Sequence, residues 1–514
     1  MARRKSLSEE SALQESHPVA SRTSVSEDDD DLAPYHVEDD DPVSLSLQRT
    51  ISDDYNAGQH ESLLARIEAP AVLLAEATEA NAAGLELPGV AGKKKNGMRM
   101  AFMNMANSII GAGIIGQPYA LLQCGLLTGM VLLFVLTLVI DWTIRLMVVN
   151  AKLSGTNTYQ ATVSACFGRT GYLAISLAQG LFAFGGSIAF TVIIGDTIPR
   201  VIAAIFPSVA TTPIVSLLTE REPVMIICIL FISFPLSLSK NIANLAKASL
   251  LALISMLVII VAVVVEGIRA PADERGEFTP ALLTVNSGVF QGIGVISFAF
   301  VCHHNSLLIY GALRKPTLDR FARVTHWSTG VSMIACMTLA LGGFLTFRNK
   351  TAGNVLNNFP ADNVFINIAR FCFGFNMLTT FPLEIFVCRE VILDYIYSTF
   401  FKQITNEHGI EEPPEPSMLA HRLTTASLTV VTLLVALTTD SLGIVLEVVG
   451  STSACMLAYI LPPLCYLKLA SSTNCTWKQK IGPVACVIFG VTVMIVSTAL
   501  SIMSVFTTHD NMAT

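Results

Sequence analysis

Asn107-Ser108-Ile109-Ile110-Gly111-Ala112-Gly113-Ile114-Ile115-Gly116-Gln117-Pro118 places glycines and a proline inside an apolar run. A hydrocarbon core of about 30 Å calls for roughly 20 apolar residues in a helix, and residues 99–123 form the first segment of that length. Glycine withdraws the helical preference and Pro118 removes a backbone donor. In lipid, irregular backbone survives only where it lines a protected cavity. The run therefore predicts unwinding at 111–113, where bare N–H groups and a half-helix N-terminus would face a carboxylate. Asn107 adds an amide one turn earlier. The competing reading is that Gly111 and Gly113 only let neighbouring helices approach closely.

Outward from this run, the same ruler finds about eleven spans, near 99–123, 126–149, 172–195, 223–239, 245–266, 289–312, 324–347, 363–388, 422–439, 441–467 and 481–506. The sixth contains a second candidate break, Gly292-Ile293-Gly294-Val295-Ile296-Ser297-Phe298-Ala299-Phe300-Val301-Cys302-His303-His304-Asn305. It lies five spans after the first and crosses in the opposite sense, as two inverted five-helix repeats require. Free carbonyls near Ser297 to Val301 would accept an ammonium while the first break holds a carboxylate, so a zwitterion matches both. The candidate substrate contacts are Asn107, Gly111, Ala112 and Gly113 in span one, and Ser297, Phe298 and Phe300 in span six. The fold expected is an all-α integral membrane protein with a 5+5 inverted repeat, one extra helix, and breaks in helices one and six.

Of the 514 residues, 52% are apolar and only 14% charged, against roughly 25% charged in soluble domains, which excludes a soluble globular enzyme as the leading reading. Residues 1–98 carry 19 acids and 9 Lys and Arg, a balance of −10, whereas the remainder is +3. No basic footprint for nucleic acid exists. The acidic segment 1–98 is poor in aromatic residues and reads as a disordered cytoplasmic tail, ahead of a transmembrane domain at 99–507 and a short end at 508–514. Within the tail, Arg3-Arg4-Lys5-Ser6 and Ser24/Ser26 before an acidic run resemble kinase sites, the alternative being a solvated spacer. Residues 62–78 suit a short amphipathic helix interrupted by Pro70. No cleavable signal peptide is read, so membrane entry falls to the first span. The eleven Cys lack metal-like spacing, and those inside apolar runs read as small buried hydrophobes.

Lys and Arg concentrate on cytoplasmic flanks. With the tail inside, 18 flanking Lys and Arg fall on the cytoplasmic side against 6 outside, and an odd number of spans puts the C-terminus lumenal or outside. The sequon Asn349-Lys350-Thr351 then lies outside and Asn474-Cys475-Thr476 inside, so Asn349 alone is open to glycosylation.

Polar residues within the spans sort by cost. Asp141 and Arg145, four apart, neutralise one another, and Asp196 sits at a solvated lumenal end. Glu384 and Glu447 are candidates for proton coupling, or else helix-packing residues. His303 and His304 either titrate or bond a neighbouring helix. Thr379 and Thr380, ahead of Pro382, either rebond freed carbonyls or coordinate a cation. An intramembrane enzyme has no support, since no two-His metal spacing, Ser/His/Asp set or paired acids on one helix appears.

The run NSIIGAGIIGQPYA, the FAFVCH of span six, the loop GGFLTFRNKTAGNVLNNFP and the span-ten string GSTSACMLAYILPPLCYLKL together resemble the amino acid/auxin permease family. Within it, the chain is similar to fungal vacuolar neutral amino acid transporters and to animal sodium-coupled neutral amino acid transporters. The likeness covers about 99–507. It implies a leucine-transporter-like fold of eleven helices and secondary active transport of neutral amino acids. It also implies substrate carboxylate binding at Gly111, Ala112 and Gly113, an influence of Asn107 on ion and substrate, and a cation-site hydroxyl at Thr379 or Thr380. His304-Asn305 departs from the small or proline-containing residues of the family. The ion-coupling candidates are thus Asn107, Thr379, Thr380, His303, Glu384 and Glu447. The partners expected are an amino acid, a proton in preference to sodium, the lipid bilayer, and kinases acting on the tail; no cofactor is called for. A vacuolar or other endomembrane location is favoured over the plasma membrane. A receptor that binds amino acid and signals through the tail is the competing function.

Overall fold

The computed structural model describes residues 97–208, 215–238, 249–314, 316–401, 404–405, 411–412, 414, 416–439, 441–470 and 477–513. The tail features at 3–6, 24 and 26, and 62–78, and the sequon at 474–476, lie outside the described residues.

The chain is a bundle of helices: α1 (Met98–Ile109), α2 (Gln117–Cys124), α3 (Leu126–Ser154), α4 (Tyr159–Ile205), α5 (Arg221–Cys228), α6 (Phe234–Ser237), α7 (Ser249–Arg269), α8 (Val289–Phe300), α9 (His303–Ala312), α10 (Leu318–Phe347), α11 (Val364–Phe400), α12 (Met418–Leu437), α13 (Leu442–Val449), α14 (Leu461–Ala470) and α15 (Trp477–Ala513). Two two-residue strands, β1 (Ile404–Thr405) and β2 (Glu411–Glu412), pair antiparallel between α11 and α12. Helix starts follow local chemistry. Thr158, Thr317, Asn363 and Ser417 each accept a backbone N–H three residues on, occupying a donor that the first turn otherwise leaves free.

Nine helical stretches among the described residues are long and apolar enough to cross a membrane. Two of the segments read as spans are not among them, for different reasons. The first is cut between α1 and α2. The fourth is assembled from α5, a π turn at Ile229–Ser233, and α6, of 8, 5 and 4 residues. The third begins earlier than hydropathy suggests. α4 starts at Tyr159 and bends at Gly168, whose φ of 61° and ψ of −149° interrupt the helix; a side chain would resist that backbone, and glycine does not. The last helix continues past 507 to Ala513.

Burial is arranged for lipid. On α3, Leu127, Val131, Phe134 and Leu138 form an exposed stripe, while Leu133, Leu136, Ile140 and Ile144 are buried. That is the 3.6-residue period with an apolar solvent on one side. α8 lies at the centre, with every residue from Gly292 to Phe300 buried. It packs on α2, α13 and the π turn Gly450–Ala454, while α4 runs along α11.

Candidate functional site

Helical backbone is interrupted between α1 and α2 and between α8 and α9. α1 ends at Ile110 (φ −82°, ψ 59°), Gly111 is extended (φ −100°, ψ −147°), and the chain resumes as a 3-10 turn, Ala112–Gly116, before α2. Ile110 N–H bonds Ala106 O and Ile114 N–H bonds Gly111 O. The N–H groups of Gly111, Ala112 and Gly113 have no acceptor among the described residues. The second interruption lies at Val301 (φ −72°, ψ 107°) and Cys302 (φ −124°, ψ 18°), between α8 and α9. Val301 N–H closes on Ser297 O, and the carbonyls of Phe298, Ala299, Phe300 and Val301 meet no donor among the described residues.

The two interruptions touch. A Cβ built on Gly113 would lie 2.5 Å from Ala299 Cα, so only glycine permits this approach. Asn305 Nδ2, on the first turn of α9, donates to Ser108 Oγ at 3.0 Å, and Gln117 Nε2 donates to Gly113 O at 3.1 Å.

A cavity of about 190 Å³ opens beside this contact. Asn107, Ser108, Gly111, Ala112, Gly113, Phe298, Ala299, Val301, His304 and Asn305 line it from the two broken rods. Gln179, Phe182, Ala183, Gly186 and Phe190 contribute one face of α4, with Gln160 from before its bend. Thr380, Leu383, Glu384 and Val387 contribute one face of α11, at the i, i+3, i+4, i+7 spacing of a single helix side. Gln160 Nε2 donates to Gln179 Oε1 at 2.5 Å. Phe182 stacks obliquely on Phe298 and on His304, at centroid separations of 5.4 and 5.5 Å. Gly186 leaves room for the Glu384 carboxylate, which would sit 3.7 Å from a Cβ there. Glu384 has no hydrogen-bond or ion-pair partner among the described residues, and no Lys or Arg lines the cavity. His304 Nδ1 and Asn305 Oδ1 are buried without partners. No group of three or more His, Cys, Asp or Glu able to hold a metal ion occurs among the described residues.

The remaining candidates lie elsewhere. Ser297 Oγ donates to Ile293 O at 2.7 Å and contacts Tyr459 OH at 3.1 Å. Phe300 is wholly buried in the core. Thr379 bonds Asn376 O at 2.9 Å. The His303 ring meets Thr143 Oγ1 at 2.9 Å, and Glu447 accepts from Tyr119 OH at 3.1 Å. Asp196, expected to be solvated, is buried and accepts from Arg221, Asn354 and Asn357. Residues that sequence reasoning passed over include Gln160, Gln179, Phe182 and Phe190. Gln179 carried a signal, being an uncharged polar side chain inside an apolar span.

Chemically, the site offers amide donors on one side, carbonyl acceptors on the other, aromatic walls and one carboxylate. Against known proteins, residues 94–503 match the family model described as "Transmembrane amino acid transporter protein". "Vacuolar amino acid transporter 2" of Saccharomyces cerevisiae is 43% identical over 418 residues, covering 81% of this chain and 85% of its own. "Putative sodium-coupled neutral amino acid transporter 11" of Danio rerio is 37% identical over 400 residues, covering 77% and 84%. Among solved structures, that of MhsT in complex with L-phenylalanine overlaps 80% of this chain and 100% of its own at a TM-score of 0.49 and 11% identity.

Proposed function

Since the chain belongs to the transmembrane amino acid transporter family, we propose that it is a secondary active transporter of neutral amino acids driven by protons, in a vacuolar or other endomembrane. The family is one of transporters, not enzymes. The observation that carries the finer reading is the cavity at the junction of the two interruptions, with unbonded N–H groups at 111–113 and unbonded carbonyls at 298–301. The α-carboxylate of the substrate binds the first set, its ammonium the second, and Phe182, Phe190 and Phe298 surround the side chain. Bare main-chain dipoles are strong ligands where water is excluded, because leaving them unmet costs several kcal/mol each. A cavity lined by no Lys or Arg suits a substrate without net charge.

The architecture proposed is eleven spans, with two inverted five-helix repeats whose first members are the broken rods and one additional helix. The tail is cytoplasmic. Glu384 carries the coupling proton, since a carboxylate in a membrane cavity without a cationic partner is costly unless neutralised. Asn107 and Thr380 share the cavity and supply oxygen ligands beside it. The yeast relative is named for the vacuole, which supports the endomembrane location.

The test is uptake of labelled amino acids by the purified full-length protein in proteoliposomes under a proton gradient or a sodium gradient. Proton-driven accumulation of one or more neutral amino acids is expected, with little response to sodium. Sodium-driven uptake alone would reverse the coupling assignment, and absence of gradient-driven flux with any amino acid would remove the transport reading.

A further inference from the structure

The charged pair on α3 belongs to a larger arrangement. Asp141 is buried, and its Oδ2 accepts from Arg145 Nε and Nη2 at 3.1 and 2.9 Å. Its Oδ1 accepts from Thr329 Oγ1 at 3.3 Å and faces His326 Nδ1 at 2.9 Å. One carboxylate therefore fixes a guanidinium and an imidazole from two adjacent helices. Arg145 Nη1 and His326 Nε2 are left without partners among the described residues. Both side chains reach the surface, at 36% and 52% exposure. Arg323, one turn before His326, is exposed, and so is Trp327. Arg320, a further turn back, has its Nε buried without an acceptor. Asp319, exposed in the first turn of α10, makes no ion pair among the described residues.

The position of this patch identifies its surroundings. On α3, the lipid-facing stripe Leu127, Val131, Phe134 and Leu138 leads to Arg145, two turns beyond Leu138. On α10, exposed Ile334 and Val331 lead back to Trp327 and His326. Apolar stripes that end together in a tryptophan and cations mark the boundary between hydrocarbon and headgroups. Here three guanidiniums, Arg145, Arg320 and Arg323, accompany two carboxylates, Asp141 and Asp319, so the patch keeps a positive excess of one. At that boundary a positive excess attracts anionic headgroups, and a guanidinium presents N–H donors suited to phosphate oxygens.

We propose that Arg145 and His326, both held by Asp141, together with Arg323 and flanked by Trp327, bind the phosphate of an anionic phospholipid in the leaflet at the end of the bundle where α10 begins. α10 packs along both α1 and α3, so the lipid braces the first half of the broken rod. The experiment uses the full-length protein in neutral detergent, titrated with phosphatidylinositol, phosphatidylcholine or inorganic phosphate, and read by bound-lipid adducts in native mass spectrometry and by thermal unfolding. The double variant Arg323→Gln, His326→Gln alters exposed side chains; it gives up the His326 contact with Asp141 Oδ1 and leaves the Asp141–Arg145 pair intact. Phosphatidylinositol should bind and stabilise the wild type in preference to phosphatidylcholine. The variant should lose affinity by about fivefold or more, in line with the worth of a juxtamembrane cation. Arg145→Lys, which keeps the charge but loses the free Nη1 and the two-point hold on Asp141, should bind with intermediate affinity. Equal binding of both lipids, an unchanged preference in the double variant, or full reproduction by inorganic phosphate would each overturn the assignment. None of these readouts depends on transport.

Discussion

Adding one methyl group at Gly113 tests whether the contact between the two interruptions builds the site. In Gly113→Ala the new Cβ would lie 2.5 Å from Ala299 Cα, 2.7 Å from Ala299 Cβ and 3.0 Å from Ala299 N. Carbon atoms pack best at about 3.5–4.0 Å, so the rods must separate by roughly 1 Å. Overpacking commonly costs about 1–3 kcal/mol, and here the obstacle is backbone, which no rotamer change relieves. The displacement falls on the N–H and carbonyl sets that the substrate is proposed to bridge. Misplacing positioned groups by about 1 Å can cost on the order of a hundredfold in rate. Uptake in proteoliposomes at matched protein density should fall by about 10- to 100-fold, with a higher substrate concentration for half-saturation and a melting temperature lowered by a few degrees. Gly111→Ala is the control, because no atom lies within 4 Å of a Cβ there and its φ of −100° suits any residue; it should unfold like the wild type. The double variant Gly113→Ala, Ala299→Gly should not recover, since the Ala299 Cα clash remains. Wild-type uptake by Gly113→Ala, within about twofold, would refute the reasoning.

Three further substitutions probe separate features. Glu384→Gln keeps size and removes the ionisable group: flux should cease to follow an imposed proton gradient while exchange of amino acid at equal pH persists, and an unchanged gradient response would clear Glu384 of coupling. Asp196 accepts from Arg221 Nε at 3.2 Å and from the Asn354 and Asn357 amides at 3.2 and 2.9 Å. Asp196→Asn should therefore destabilise by about 2 kcal/mol, less than for a wholly buried pair because Arg221 is partly exposed, as a lowered denaturant midpoint would register. Arg370 is fully buried and donates to the carbonyls of Leu356, Phe359 and Pro360 and to Asn367 Oδ1. Arg370→Met should loosen the 348–363 connection, seen as faster proteolytic cleavage there than in wild type.

What the sequence made legible was whatever a bilayer and a local backbone dictate. Span length is a fixed ruler, and Gly111, Gly113 and Pro118 together raise the expectation of an interruption from a dozen residues, whereas Gly180, Gly185 and Gly186 lie inside continuous helix in α4. Non-helical backbone at 301–302 lies within the 292–305 run read as the second candidate. The wall formed by α4 and α11 was not readable in this way. Gln179 and Glu384 are about two hundred positions apart, and only the packing of those helices brings them to one cavity. Gln160 lies before the bend at Gly168, outside the apolar segment, where composition gives no reason to expect a cavity-lining role.

Choosing between neighbouring residues was harder still, for a geometric reason. An α-helix turns about 100° per residue, so His303 and His304, or Thr379 and Thr380, point to different partners although their chemistry is the same. In the structure His303 turns to Thr143 on α3 while His304 turns to the cavity. Likewise Thr380 lines the cavity and Thr379 does not. The rotational phase of a helix is set by what it packs against. For α9, packed against α1 and α3, one such contact is the Asn305 bond to Ser108 near the end of α1. The same contact that closes the two interruptions on one another thus also helps to select which histidine faces the cavity, a choice that neither residue carries in its own surroundings along the chain.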